Sequence, residues 1–180
     1  NKTTPLSLVY AGTLGVENGP DIAIEAIPIV IKKFPKAKLH IYGGGKKDLE
    51  RLRRLVDELD LDKSVVFHGF FKNPVELSSE LRKYRIGLAP YKAISGSPRF
   101  WADATKIRLY LAAGLPVVTT QVPPLGKELV RENAGIICRD SHKEIAQAIS
   151  TLFENVNHYK DLRTNSIRKA KDNTWENTYN

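Results

Sequence analysis

The sequence has little of what staples or threads a small protein: one cysteine, Cys138, and no methionine. A lone cysteine excludes an internal disulfide and suits a reducing compartment. Set in the apolar run "AGIIC", it reads as a buried, inert thiol. No apolar run reaches the ~20 residues a helix needs to cross a bilayer, and no secretory leader opens the chain. The expected location is cytoplasmic. With no initiator methionine, Asn1 is expected to open a piece cut from something longer. Histidine is scarce, four in all. His40 and His68 fall in predicted strands and read as packed or edge residues, while His142 and His158 fall in predicted surface helices. No His/Cys/Asp cluster has metal-ligand spacing, so no metal is expected, and no Ser-His-Asp constellation is legible. Internal repeats and low-complexity segments are also missing.

What is present is ordinary in bulk: 42% hydrophobic and 27% charged residues over 180 positions, enough for one domain spanning 1–180 with a sizeable core. The formal charge of +8 is less ordinary. It fits an acidic partner (nucleic acid, anionic lipid headgroups, phosphorylated small molecules) or a solvated surface with more Lys than Glu. The Arg/Lys set at 46–54 is interleaved with acids along a helix, so a solvated face is the reading there and no nucleic-acid partner is expected.

Short β-branched runs alternate with longer amphipathic ones. Strands are predicted at 6–12, 38–44, 64–70, 86–90, 116–120 and 135–138. Helices are predicted at 21–34, with Pro28 a local blemish, at 46–61, at 73–84, through "DATKIRLYLAAG", near "GKELVREN", and at 141–155 and beyond. Leu49, Leu52, Val56 and Leu59 recur at helical spacing in the second. Strands apolar on both faces, alternating with helices, specify a doubly wound, Rossmann-like α/β parallel sheet of about six strands covered on both sides. Such sheets bind ligands beyond the carboxyl ends of their strands, where the strand order switches. The places to look are Gly12–Asn18, Gly43–Gly45, Gly69–Lys72 and the loop after Pro90.

Two features there bear on chemistry. "AGTLGVENG" and "GGGKK" follow the first two strands; they allow main-chain N–H groups to approach an anion, or simply permit sharp turns. Neither is G-x-G-x-x-G or a Walker A loop. In "DATKIRLYLAAGLPVVTT", Asp103 is the expected N-cap, which sets Thr105 and Lys106 in the first helical turn, where unpaired N–H groups and the helix dipole favour phosphate. A lysine there is unfavourable by about a few tenths of a kcal/mol unless something negative sits opposite. Lys106 is thus a phosphate ligand or a solvated cation. Phe100 and Trp101 can stack on a base or sugar ring, or close their loop against the core.

In order and spacing, "LVYAGTL…NGPDIAIEAIPIVIKKFPKAKLHIYGGG", "VVFHGF", "IGLAPY" and "KIRLYLAAGLPVVTT…KELVRENAGIIC" resemble the C-terminal half of retaining GT-B glycosyltransferases of the group 1 type. The likeness runs from Leu6 to about Phe153 and is most specific at "AAGLPVV"; "NTWENTY" resembles the start of the family's closing helix. The resemblance implies a domain that binds a nucleotide-diphospho-sugar, typically a UDP- or GDP-sugar, as donor substrate rather than cofactor. A missing N-terminal domain of the same chain would hold a glycan or lipid-linked acceptor, and the fragment alone would be inactive. It implies that the Gly12–Thr13 loop, Thr105 and Lys106 face the diphosphate, with Gly43 and Gly44 in the neighbouring turn. Gly69 and Phe70 would line the base, and Leu109 would approach the ribose. Lys106 would serve catalysis by stabilising the departing diphosphate electrostatically, without a metal. A lipid-linked acceptor would suit a basic surface docked on an anionic inner membrane face.

The sequence departs from that family pattern in places. Thr13 and Asn18 stand where an Arg and a Lys are usual, and Trp101 and Leu109 stand where two glutamates are usual. A leucine accepts no hydrogen bond from a ribose. Glu128 does match the family's acidic residue after the fifth strand. A non-catalytic GT-B-like module, or a domain of a sugar-nucleotide epimerase or phosphorylase, are the alternatives.

Overall fold

The computed structural model describes residues 4–71, 73–101 and 104–172. Asp103 and the "NTWENTY" segment lie outside the described residues, so the N-cap and closing-helix readings are not addressed. The chain runs β1 (Ser7–Ala11), α1 (Pro20–Lys33), β2 (Lys38–Tyr42), α2 (Lys46–Glu58), β3 (Val65–Gly69), α3 (Pro74–Leu81) and β4 (Ile86–Ala89). It continues α4 (Thr105–Ala112), β5 (Val117–Thr120), α5 (Leu125–Arg131), β6 (Gly135–Cys138), α6 (His142–Glu154) and α7 (Val156–Asp172). The six strands form one sheet in the order β3-β2-β1-β4-β5-β6, with every pairing parallel. The winding direction reverses between β1 and β4, which places the switch point at their carboxyl ends.

Alternation along the strands feeds two cores. Leu8 and Tyr10 join Ile24, Ile27, Leu52 and Ile149 on one face, under α1, α2 and α6. Val9 and Ala11 join Ile107, Tyr110 and Leu129 on the other, under α4 and α5. Full burial of each such aliphatic side chain contributes roughly 1.5–3 kcal/mol. In α2 the predicted stripe is confirmed: Leu52 and Val56 are buried, Leu49 and Leu59 half-buried. The helix stops at Glu58 rather than Leu61, because Asp60 turns left-handed (φ 52°) and the Leu61 N–H donates back to Val56 O at 3.0 Å.

One contact positions the crevice. At Gly87 in β4 a Cβ would come 2.5 Å from Tyr110 Cγ, so glycine lets α4 lie directly on the sheet. The Tyr110 hydroxyl then accepts from Ala11 N–H (2.7 Å) and donates to Leu88 O (3.1 Å). It therefore ties α4 to both strands at the switch point.

Candidate functional site: a cationic crevice at the switch point

Beyond β1 the chain continues through Gly12, whose N–H donates to Tyr42 O (2.9 Å) and whose φ is 151°. A Cβ at this position would lie 3.1 Å from Lys106 Cε. The missing side chain is what lets Lys106 pass beneath the loop. Lys106, in the first turn of α4, is only 6% exposed. Its Nζ donates to the Tyr10 hydroxyl at 2.9 Å and reaches Asn18 O at 3.4 Å. The same ammonium lies 4.1 Å from the centroid of the Tyr10 ring and 4.5 Å from that of Tyr91. Burial, and secondarily the positive charge of Arg99, hold its pKa well below the ordinary lysine value. The solvated-cation reading is therefore corrected, because the side chain turns under Gly12 into the crevice. Ala104 precedes the helix with no side-chain cap.

A cavity of about 320 Å³ opens over this ammonium, lined by Ala11, Gly12, Thr13, Asn18, Leu77, Tyr91, Arg99, Thr105, Lys106 and Leu109. A second, of about 520 Å³, adjoins it through Gly12, Thr13 and Leu77 and continues along Tyr42, Gly43, Gly44, Gly45, Phe70 and Phe71. The structure thus gathers Gly12, Thr13, Gly43, Gly44, Phe70, Thr105, Lys106 and Leu109 around one continuous crevice. Gly69 does not line it. With φ 76°, it accepts the Gly43 N–H through its carbonyl (2.8 Å) and so shapes the wall from behind. Trp101 is 84% exposed and leaves the crevice open, while half-buried Phe100 packs on the second core.

Of the lining residues, Asn18 was singled out in the sequence, as the end of the first glycine loop and as a departure from the family pattern, whereas Arg99 was not. Asn18 is 4% exposed, set by a 3-10 turn at Val16–Asn18 that Gly19 ends at φ 66°. Arg99 comes from a second such turn, Pro98–Phe100, for which Ser97 is the N-cap. The Ser-Pro pair is the signal that would have revealed that turn. The two loops are laced together. Arg99 Nε donates to Glu17 Oε1 (3.0 Å), Ser97 Oγ donates to Glu17 Oε2 (3.0 Å), and the Lys92 N–H donates to Glu17 O (3.1 Å). The Lys92 ammonium also pairs with the Asp21 carboxylate. Arg51, expected on a solvated face, instead reaches back from α2 and donates to Leu14 O at 3.0 Å.

The remaining candidates lie elsewhere. Cys138 is buried, donates to Thr119 O (3.3 Å), and is pushed up by burial to about 12. His40 and His68 hydrogen-bond each other at 2.9 Å on β2 and β3. Glu128 pairs with Lys169 at 2.5 Å and lines neither part of the crevice. Among the described residues no group of three or more His, Cys, Asp or Glu is arranged to hold a metal ion, and no helix is long and apolar enough to cross a membrane.

A parallel sheet reversing between β1 and β4, with a glycine-walled cationic crevice there, defines a Rossmann-like domain of the kind that forms one half of a GT-B glycosyltransferase. Glycosyl transferases group 1 is the family matched, over residues 5–155, and the chain belongs to it. It is 26% identical over 151 residues to the poly(glycerol-phosphate) alpha-glucosyltransferase of Bacillus subtilis, covering 83% of this chain but only 21% of that protein. The fold matches the crystal structure of the C-terminal domain of LpcC, a group 1 glycosyl transferase of Francisella tularensis (TM-score 0.80, 19% identity, 96% of this chain and 87% of that one). It also matches the pneumococcal O-GlcNAc transferase GtfA in complex with UDP and GlcNAc (TM-score 0.75, 20% identity, 94% of this chain and 33% of that one).

Proposed function

We propose that this chain is the donor-binding domain of a glycosyltransferase that moves a sugar from a UDP- or GDP-sugar to a glycan or lipid-linked acceptor. The observation that carries the reading is the Lys106 ammonium, buried under Gly12 at the switch point with neutral partners around it. A buried lysine that lines an open cavity and has only neutral partners for its ammonium is an incomplete electrostatic arrangement, and a diphosphate completes it. Thr105 and the main-chain N–H groups opening α4 add donors on the same side. The UDP bound by GtfA, whose fold matches, supports the same choice of ligand. In the complete enzyme Lys106 stabilises the charge developing on the departing diphosphate, with no cofactor besides the donor substrate. The acceptor side is assigned to an N-terminal domain. The +8 charge suits a cytoplasmic protein resting on an anionic membrane face.

Leu109 gives the ribose no acceptor, and Thr13 and Asn18 carry no charge. These are the features that would favour a non-catalytic module. A thermal-shift panel of UDP, GDP and ADP separates the two readings. Ligand at a hundredfold its Kd adds about 2.7 kcal/mol, or roughly 5–10 °C in Tm for a domain of this size. A Tm unmoved by all three nucleotides would refute the donor-site reading.

A further inference from the structure

We propose that Arg99 is a second phosphate-binding cation of this crevice, held in place by Glu17 until a diphosphate displaces that carboxylate. The inference rests on the donor-site reading and names a residue in that site. The loop from Gly12 to Gly19 carries one charged side chain, and it is negative: Glu17. Left to Lys106 alone, a diphosphate would be under-neutralised. Arg99 enters from the opposite loop, lines the same cavity as Lys106, Gly12 and Thr13, and is close enough to depress Lys106 electrostatically.

The contacts of Arg99 suit a reserve cation. Its Nε donates to Glu17 Oε1 at 3.0 Å, with side-chain exposures of 29% for Arg99 and 32% for Glu17. Ser97 closes the arrangement, donating to Glu17 Oε2 and accepting the Arg99 N–H at 3.2 Å. A guanidinium presents five N–H donors in a planar fork that matches phosphate oxygens, and the Nε contact engages one of them. Ion pairs this exposed are weak, so a ligand of higher charge density competes with the carboxylate. Glu17 therefore holds the fork at the cavity wall and opposes anion binding.

Calorimetric titration of this chain with UDP and with uridine, or with GDP and guanosine where GDP is the nucleotide bound, tests the proposal across four proteins: unsubstituted, Arg99→Gln, Arg99→Lys and Glu17→Gln. Circular dichroism melts verify that each variant is folded. Arg99→Gln is expected to weaken UDP by roughly ten- to a hundredfold while leaving uridine unchanged, and Arg99→Lys to recover part of that loss. Glu17→Gln is expected to tighten UDP by roughly two- to fivefold. A purely structural pair gives another pattern, since Arg99→Gln and Glu17→Gln break the same bond and would weaken UDP alike; that result would overturn the assignment. Unsubstituted protein that binds neither UDP nor GDP would sink the donor-site reading, and this inference with it.

Discussion

Replacing Lys106 by methionine should make the ligand-free protein more stable and the crevice unable to hold a diphosphate. Methionine nearly preserves length and volume and removes only the charge. Among the described residues, the partners of the ammonium are a hydroxyl, a carbonyl and two aromatic faces, all neutral. Exchanging a buried ion for an apolar group of similar volume is commonly neutral or stabilising by about 1–4 kcal/mol. The cation–π contacts offset part of that, at about 0.5–2 kcal/mol. A net gain of about 1–2 kcal/mol, or roughly 2–8 °C in Tm, is expected near neutral pH. Tyr10 is not orphaned by the change, because its hydroxyl donates to Thr13 O at 2.6 Å.

The pH dependence carries a definite sign. The folded pKa of Lys106 is lowered below its unfolded value, so the unfolded chain binds more protons in the window between them. The destabilisation is fully present below the folded pKa and is relieved as pH rises towards the unfolded value. The advantage of Lys106→Met should therefore shrink as pH rises towards 10.5. Urea titrations of both proteins at stepped pH, paired with calorimetry against UDP, supply the numbers. A variant that is less stable than the parent and binds UDP normally would refute the reasoning, since Lys106 would then be a packing element without a role towards anions.

Two further outcomes are expected. Tyr110→Phe leaves the buried Ala11 N–H and Leu88 C=O without their shared hydroxyl, and should cost about 1–3 kcal/mol, read as a lower urea midpoint. His40 is lowered to about 4, chiefly by burial and then by His68, so its contribution to stability is retained above its unfolded pKa and lost as pH falls from 6.5 towards 4. With solvent screening allowed for, the loss is about 1–2 kcal/mol, and His40→Gln should flatten that limb of the stability–pH curve.

The layered sheet was legible because its signals are local. Runs such as "SLVYA" and "IGLA" are apolar on both faces, and Gly12, Gly43 and Gly44 mark the strand ends where such sheets bind ligands. Thr105 and Lys106 were legible as residues opening a helix. The burial of Lys106 was not, because it depends on Tyr10 in β1, 96 positions away, and on Tyr91 beyond β4. Arg99 was hidden for the same reason, as its partner Glu17 lies 82 positions upstream. Gly69 looked like a lining residue because it sits at a strand end. In the fold its carbonyl is turned to Gly43 N–H, a pairing set by the register shift between β2 and β3.

The most direct measurement compares amide NMR shifts of the labelled chain with UDP and with uridine. Gly12, Thr13, Thr105 and Lys106 should move with UDP and stay still with uridine, while Gly44 and Phe70 respond to both. If uridine reproduces the UDP pattern, or if UDP and GDP both leave the Gly12 and Lys106 amides unmoved, the crevice is not a diphosphate site.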